Sequence, residues 1–325
     1  MRYVDVFNGD ADGLCALHQL RLAEPLPADA QTELVTGLKR EIDLLTRVAV
    51  DPAAAGDTVV TVLDVSLDRN RAALERLLAA GASVRYFDHH FAGAVPAHPR
   101  LHAMLDPAAD VCTGMLVDRY LQGRYRLWAV VAAFGDNLAA AASELAAPLG
   151  LDSHQLHTLR VLGEALNYNA YGEIEADVTI HPRELYRALH RFVDPFAFNT
   201  TQIVQMLIGR RRDDLATALA LAPVAVDDHY AVYRLPAGAW SGRVLGTFAN
   251  GLVHRHPQRA HAVLKDNADG TLTVSVRAPL QSLRGAEVLC MQFETGGGRA
   301  AAAGITRLPL SQLDDFVTRF RSARW

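Results

Sequence analysis

Four stretches in the first half of the chain carry oxygen and nitrogen donors of the kind that hold metal ions or move protons. They are Asn8-Gly9-Asp10-Ala11-Asp12-Gly13, the single Asp64, Asp88-His89-His90, and Asp136. The first three stand at or just after apolar runs that read as β-strands, and Asp136 lies in a helical region. In open α/β sheets, ligand sites form at the carboxyl ends of the strands, so these residues can converge. Gathering Asp10, Asp12, Asp64, Asp88 and Asp136 concentrates negative charge that burial makes costly unless divalent cations neutralise it. Carboxylates with an imidazole suit Mn²⁺ or Mg²⁺ better than a thiolate-seeking metal, and Cys15 has no second cysteine nearby. Two such ions about 3.5–4 Å apart would activate a water and clamp a phosphoryl group for in-line displacement. Each piece alone also has a plainer reading. An Asp-x-Asp-Gly turn is commonly an Asx-turn or a helix cap, and adjacent histidines are commonly surface or packing residues. The turn is not an EF-hand loop, because Arg21 stands where the twelfth-position acid belongs.

The elements that would position these groups follow from hydrophobic patterning. Tyr3–Phe7, Glu33–Thr36, Val59–Val65 and Val84–Phe87 read as strands, and Leu74, Leu77 and Leu78 mark a helix that Gly81 closes. This alternation predicts a parallel sheet with helices on its faces. After Asp106 the pattern turns helical, with helices expected over Gly114–Leu121, Leu127–Leu145 and Pro182–Phe192 and a break at Asp194-Pro195. A connecting helix is expected from Asn199 to Leu221, with Ile203, Met206, Leu207, Leu215 and Leu219 on its apolar side and Arg210 to Asp214 on its polar side. A second unit then begins with Val224–Tyr233 and an amphipathic stretch over Val244–His254. His261–Lys265 and Thr271–Arg277 flank the turn-forming Asp266 to Gly270 as a β-hairpin. A helix over Arg284–Phe293, a glycine loop and a last helix over Ser311–Arg321 complete it. The fold class is therefore α/β, with a parallel-sheet domain followed by a smaller α+β domain with a mixed sheet.

Composition narrows the function. The 325 residues are 50% hydrophobic and 21% charged, a balance that excludes a disordered chain and suits two domains. The net charge of −4 argues against general duplex binding, which needs a positive footprint. The longest apolar stretch, Leu127 to Phe134, is far short of the roughly 20 residues that cross a bilayer, so no membrane partner is expected. The N-terminus shows no secretory signal pattern, and three scattered cysteines build neither a disulfide framework nor a zinc knuckle. A cytoplasmic location is the expectation.

In the second half, Gly296-Gly297-Gly298 can expose backbone N–H groups as an anion-binding nest. Arg277 and Arg299 can grip phosphate in bidentate fashion. The spacing Gly296-x-Gly298-x-x-Ala301 also matches a dinucleotide fingerprint. A helix-like segment rather than a strand precedes it, and that reading is rejected.

Taken together, the Asp-x-Asp-Gly turn, Asp64, Asp88-His89-His90 and Gly135-Asp136 resemble, in order and spacing, the four motifs of the DHH phosphoesterase family. Val274-Ser275-Val276-Arg277 and the run from Gly296 to Gly304 resemble the family's associated C-terminal domain. The resemblance covers nearly the whole chain. It implies a metal-binding catalytic domain over residues 1–195, a helical connector over 196–223 and a substrate-binding domain over 224–325, with the active site in the cleft between domains. It also implies a pair of divalent cations, usually manganese with magnesium as the alternative. Asp10 would hold one ion, Asp64 would bridge both, and Asp12, His89 and Asp136 would complete the other. Asn8 stands where the family commonly has His or Asp, and would be a weaker ligand. His90 would face the scissile phosphate or leaving oxygen, Asp88 would orient its neighbours, and Gly13 would let backbone approach the metal loop. Ser275, Arg277, Gly296, Gly297, Gly298 and Arg299 would bind substrate, with Arg299 where the family commonly has His.

Small two-domain members of this family include nanoRNases, pAp phosphatases and enzymes that cleave linear pGpG. The resemblance therefore implies hydrolysis of short 5'-phosphorylated RNA, pGpG in particular, to mononucleotides. Removal of the 3'-phosphate from pAp, cleavage of a cyclic dinucleotide, and a non-catalytic nucleotide sensor are the alternatives. The expected partner is a short RNA or dinucleotide rather than duplex nucleic acid, and a homodimer is left open.

Overall fold

The apolar runs expected as strands pair into one sheet in the first half of the chain. The structure, a computed structural model, describes residues 1–49, 55–172 and 174–325. The chain divides into two units, Met1–Gly209 and Arg210–Trp325. The first contains β1 (Arg2–Asn8), α1 (Ala11–Ala23), β2 (Gln31–Gly37), β3 (Thr58–Leu63), α2 (Leu67–Ala80), β4 (Ser83–Asp88) and β5 (Leu101–Leu105). Helices follow as α3 (Thr113–Tyr120), α4 (Arg126–Gly135), α5 (Ala139–Ala146), α6 (Ser153–Asn169), α7 (Pro182–Leu189), α8 (Pro195–Asn199) and α9 (Gln202–Leu219), the last running through the division between units.

All pairings in the first sheet are parallel, in the order β2-β1-β3-β4-β5. One face packs Val4, Val6, Val60 and Val62 against Leu74 and Leu77 of α2. The other packs Phe7, Leu63 and Phe87 against Leu14 and Leu17 of α1, Trp128 of α4 and Leu162 of α6. Both faces are covered, which is why these strands read as almost continuous apolar runs. The chain leaves β1 for β2 on one side and returns to β3 on the other, so the strand order reverses between β1 and β3, where such sheets bind ligands. Register sharpens this. Phe7 lies opposite Leu63 and Leu63 opposite Phe87, so Asn8, Asp64 and Asp88 follow side by side at one edge.

The second unit contains β6 (Ala225–Val226), β7 (Tyr230–Leu235), α10 (Ala239–Arg255), β8 (Ala260–Asp266) and β9 (Thr271–Arg277). It ends with α11 (Ala286–Cys290), β10 (Gly296–Arg299), β11 (Ala302–Pro309) and α12 (Leu313–Ser322). Its sheet runs β10-β11-β9-β8-β7-β6 and is mixed, with β7 and β8 parallel and the other pairs antiparallel. Leu272, Val274 and Val276 of β9 join the core with Leu289 of α11 and Phe316 of α12. The intervening Thr273, Ser275 and Arg277 take the opposite face, as strand alternation requires. Among the described residues, no helix is long and apolar enough to cross a membrane.

Several expectations need correction. The stretch Leu127–Leu145 is two helices, because α4 ends at Gly135 and Asn137 takes a left-handed φ of 62°. Leu138 N–H then donates to Ala133 O at 2.9 Å, a Schellman-type stop. The strand expected over Val59–Val65 ends at Leu63, and the helix expected over Pro182–Phe192 ends at Leu189. The helix expected over Arg284–Phe293 shrinks to α11. Val224–Tyr233 contains two strands rather than one run. Asp194 and Pro195 open α8 as N-cap and first residue instead of only breaking the chain. On α9, Met206 and Leu219 are exposed, whereas Val204 and Ala218 are buried. Asp214, placed by sequence on the polar side, is buried in an ion pair with Arg243 at 2.8 Å. The glycine loop is β10, an edge strand paired with β11. Its extended pairing differs from the curled backbone of an anion nest.

The close packing of α1, α4 and α6 depends on Gly135. A Cβ there would lie 2.3 Å from Ala11 Cβ and 3.0 Å from Gly163 O. Gly135→Ala should therefore cost about 1–3 kcal/mol through overpacking. Chemical denaturation reads this directly, and an unchanged midpoint would contradict the packing.

Candidate metal centre

Local structure aims each acid before any ligand arrives. Asp10 is the N-cap of α1, and its Oδ1 accepts from the N–H groups of Asp12 and Gly13 at 3.0 and 3.1 Å. Gly13 permits this turn, because a Cβ there would lie 2.2 Å from Asn8 O. Asp12, in the first turn of α1, accepts the Thr113 and Gly114 N–H groups at 2.8 and 2.7 Å, so the start of α3 fixes both its oxygens. Asp64 sits one residue beyond β3 with φ of 58°, a left-handed conformation that Asp and Asn tolerate better than most side chains. Its N–H donates to Phe87 O at 3.0 Å, tying it to β4. Asp136 caps the C-terminus of α4, at the stop that divides the expected long helix.

The histidines are held just as firmly. His89 Nδ1 is 2.8 Å from Val111 O, and donating there leaves Nε2 with its lone pair for a ligand role. That Nε2 lies 3.4 Å from Asp64 Oδ1, 3.8 Å from Asp136 Oδ2 and 4.0 Å from Asp12 Oδ2. His90 Nδ1 lies 2.7 Å from Asp88 Oδ1 and 3.9 Å from Asp64 Oδ1. Asp88 is fully buried, its Oδ1 holds His90 in an orienting contact, and its Oδ2 has no hydrogen-bond partner among the described residues. Among the described residues two groups of donors result, each with atoms mutually within 4.8 Å: Asp12, His89 and Asp136, and Asp64, His89 and His90. Carboxylate oxygens around a fixed imidazole nitrogen fit a divalent cation.

Asp10 and Asn8 belong to neither group, although the Asp10 carboxyl lies within hydrogen-bonding reach of the Asp64 carboxyl. Asn8 Oδ1 accepts the Asp10 N–H at 3.3 Å. Asp10 Oδ2 is 2.5 Å from the ammonium of Lys39, which also lies 3.5 Å from Asp136 Oδ1 and donates to Asn167 Oδ1 at 3.0 Å. Lys39 is a charged residue among these acids that sequence reasoning missed. The rule that found the acids also reaches it, because Lys39 stands two residues past β2, the neighbour of β1. Asn167 lies on α6, which patterning also missed although Asp152 and Gln155 form its capping box.

Electrostatics follow from this crowding. Burial raises the Asp64 carboxyl well above its ordinary value, and Asp10, Asp12 and Asp136 raise it further. Burial likewise raises Asp136, with Lys39 opposing. Burial alone would raise Asp10, but Lys39 and the Gly13 N–H hold it below its usual value. Burial would lower Lys39, yet Asp10, Tyr171 and Asp136 hold it well above the ordinary lysine value. Burial would lower His90, and Asp88 overrides this and raises it.

In the second unit, Arg277 Nε donates to Asn250 Oδ1 at 2.7 Å and Nη1 donates to Ser275 Oγ at 3.0 Å. Asn250, on α10, was not expected from sequence. Arg299 pairs in register with Ala302, and Ala302 with Arg277, so the two arginines share one row across three strands.

Solved structures share this fold. Exonuclease RecJ bound to manganese gives a TM-score of 0.60 at 18% identity, over 99% of this chain and 89% of that one. RecJ from Thermus thermophilus in complex with Mn²⁺ gives 0.56 at 20% identity, and this chain spans 51% of its length. The pGpG-specific phosphodiesterase PggH from Vibrio cholerae gives 0.53 at 16% identity over 99% of both chains. No family model and no curated protein matches the sequence. The chain shares the fold of these structures, with a parallel five-stranded sheet in the first unit and a separate mixed six-stranded sheet in the second.

A pH test isolates Asp64. Its raised folded value means that the metal-free fold binds more protons than the unfolded chain, whose Asp titrates near 3.8. The stability Asp64 contributes is thus fullest in acid and is lost as pH rises through its folded value. In the presence of EDTA, the melting temperature of Asp64→Asn should gain on wild type as the pH rises above the ordinary Asp value of 3.8. A constant gap would contradict the crowding.

Proposed function

We propose that this chain is a metal-dependent phosphodiesterase of the DHH type, hydrolysing short 5'-phosphorylated RNA, linear pGpG in particular, to mononucleotides. The observation that carries this reading is the convergence of Asp12, Asp64, His89 and Asp136 at the strand-order switch of the first sheet. The pGpG specificity of one structural neighbour supports the choice of substrate, since that chain matches along its whole length. The manganese in two RecJ structures supports Mn²⁺ as the working cation.

Asp12, Asp64, His89 and Asp136 would hold the cation. When bound, it would supply Lewis-acid activation of a water and charge neutralisation at the phosphate. The residues do the rest. Thr113 and Gly114 N–H groups keep Asp12 fixed, Val111 O keeps His89 in its ligating tautomer, and Asp88 orients His90 toward the scissile phosphate or its leaving oxygen. Arg277, steadied by Asn250 and Ser275, is assigned to substrate phosphate, with Arg299 as a second anchor. A soluble cytoplasmic enzyme acting on short single strands fits the net charge of −4.

A product assay with pGpG, pApA, pAp, cyclic di-GMP and a longer RNA, each with and without Mn²⁺, tests the assignment. GMP release from pGpG only with Mn²⁺ is expected. Preferential phosphate release from pAp would favour the phosphatase alternative, and binding without turnover would favour a sensor. His89→Ala should lower kcat by about 100-fold or more; full activity with an intact fold would refute its role. Arg277→Ala should raise KM for pGpG about 10-fold with little change in kcat. An unchanged KM would remove Arg277 from the substrate site.

A further inference from the structure

The sequence resemblance implies two cations, but the second position is already engaged. Both oxygens of Asp10 have partners: Oδ1 caps α1 through the Asp12 and Gly13 N–H groups, Oδ2 lies on Lys39 Nζ, and the carboxyl also meets that of Asp64. The side-chain oxygen of Asn8 is turned onto the Asp10 N–H. These residues therefore do not fit a second ion.

We propose that the ammonium of Lys39 is a built-in cation that replaces one of the two metal ions, leaving a centre that binds a single divalent cation. Three acceptors surround the ammonium, matching its three protons: Asp10 Oδ2 at 2.5 Å, Asn167 Oδ1 at 3.0 Å and Asp136 Oδ1 at 3.5 Å. The arrangement is supported from behind. Lys39 N–H donates to Ala170 O at 3.2 Å, anchoring the backbone after β2 to the end of α6. Asn167 Nδ2 donates to Tyr171 Oη at 3.1 Å, and the Tyr171 ring lies 5.7 Å from Lys39 Nζ. Lys39 meets Asp136 through Oδ1, whereas Oδ2 of the same carboxylate faces His89 Nε2. One carboxylate thus joins the ammonium to the metal ligands. Lys39 acts here as a positioning residue: it orients Asp10 and Asp136 and supplies fixed charge that no chelator removes.

The proposal rests on the metal-dependent reading above, and metal stoichiometry separates the two. Purified full-length protein is saturated with Mn²⁺, and bound metal is counted by equilibrium dialysis and elemental analysis, with electron paramagnetic resonance to detect exchange-coupled pairs. One Mn²⁺ per chain with an uncoupled spectrum supports the proposal. Two coupled ions would overturn it while leaving the metal-dependent reading intact. No bound Mn²⁺ would overturn both. Lys39→Met keeps the side-chain length without the charge, and should raise the count from one to two by releasing Asp10 and Asp136. A count still at one in a folded Lys39→Met would contradict the proposal. Asp10→Asn supplies an independent check if Lys39→Met does not fold. It should leave the single ion in place, whereas a fall in stoichiometry would identify Asp10 as a metal ligand and overturn the assignment.

Discussion

Mutual repulsion among carboxylates gathered at the ends of β1, β3 and α4 is the constraint to which the first unit answers. Asp10, Asp12 and Asp64 are each almost completely buried, and Asp136 stands with them. An unpaired buried carboxylate costs several kcal/mol, so this grouping persists only where backbone donors and cations offset it. The fold supplies the first directly, through the start of α1 for Asp10 and the start of α3 for Asp12. It supplies part of the second through Lys39. The remainder is left to a divalent ion, whose ligands are positioned by hydrogen bonds that the protein makes on its own.

The topology explains why such different parts of the chain meet. β1, β3 and β4 are neighbours in register, so the residues after them emerge in one row. The α4 helix stops at that row because Asn137 adopts a left-handed turn. The stop and the ligand are therefore one feature, with Asp136 capping the helix that the turn closes. Gly135, just before it, permits the close approach of α1 that brings Asp12 into the same space. A chain-wide electrostatic problem is thus solved by a few local backbone decisions.

Much of this is legible in the sequence, and the exceptions have physical reasons. The parallel strands are visible because burial on both faces makes them apolar throughout. The acids are visible because a carboxylate after such a run is hard to place otherwise. Leu127–Leu145 reads as one long helix because alanines and leucines continue on both sides of a stop that only Asn137 signals. The three glycines look like a loop, since neither alternation nor side-chain size marks an edge strand there. Lys39 escapes notice because lysines after strands are common, and its meaning depends on Asn167, distant in sequence and carried by a helix with weak patterning.

The central claim is that Asp12, Asp64, His89 and Asp136 form one pocket whose negative charge a divalent ion completes. Crystals grown with Mn²⁺ and measured at the manganese absorption edge test this most directly. The account predicts an anomalous peak in bonding contact with His89 Nε2 and with oxygens of those three aspartates. A map with no peak there, or with manganese held by other residues while these four side chains point apart, would contradict it.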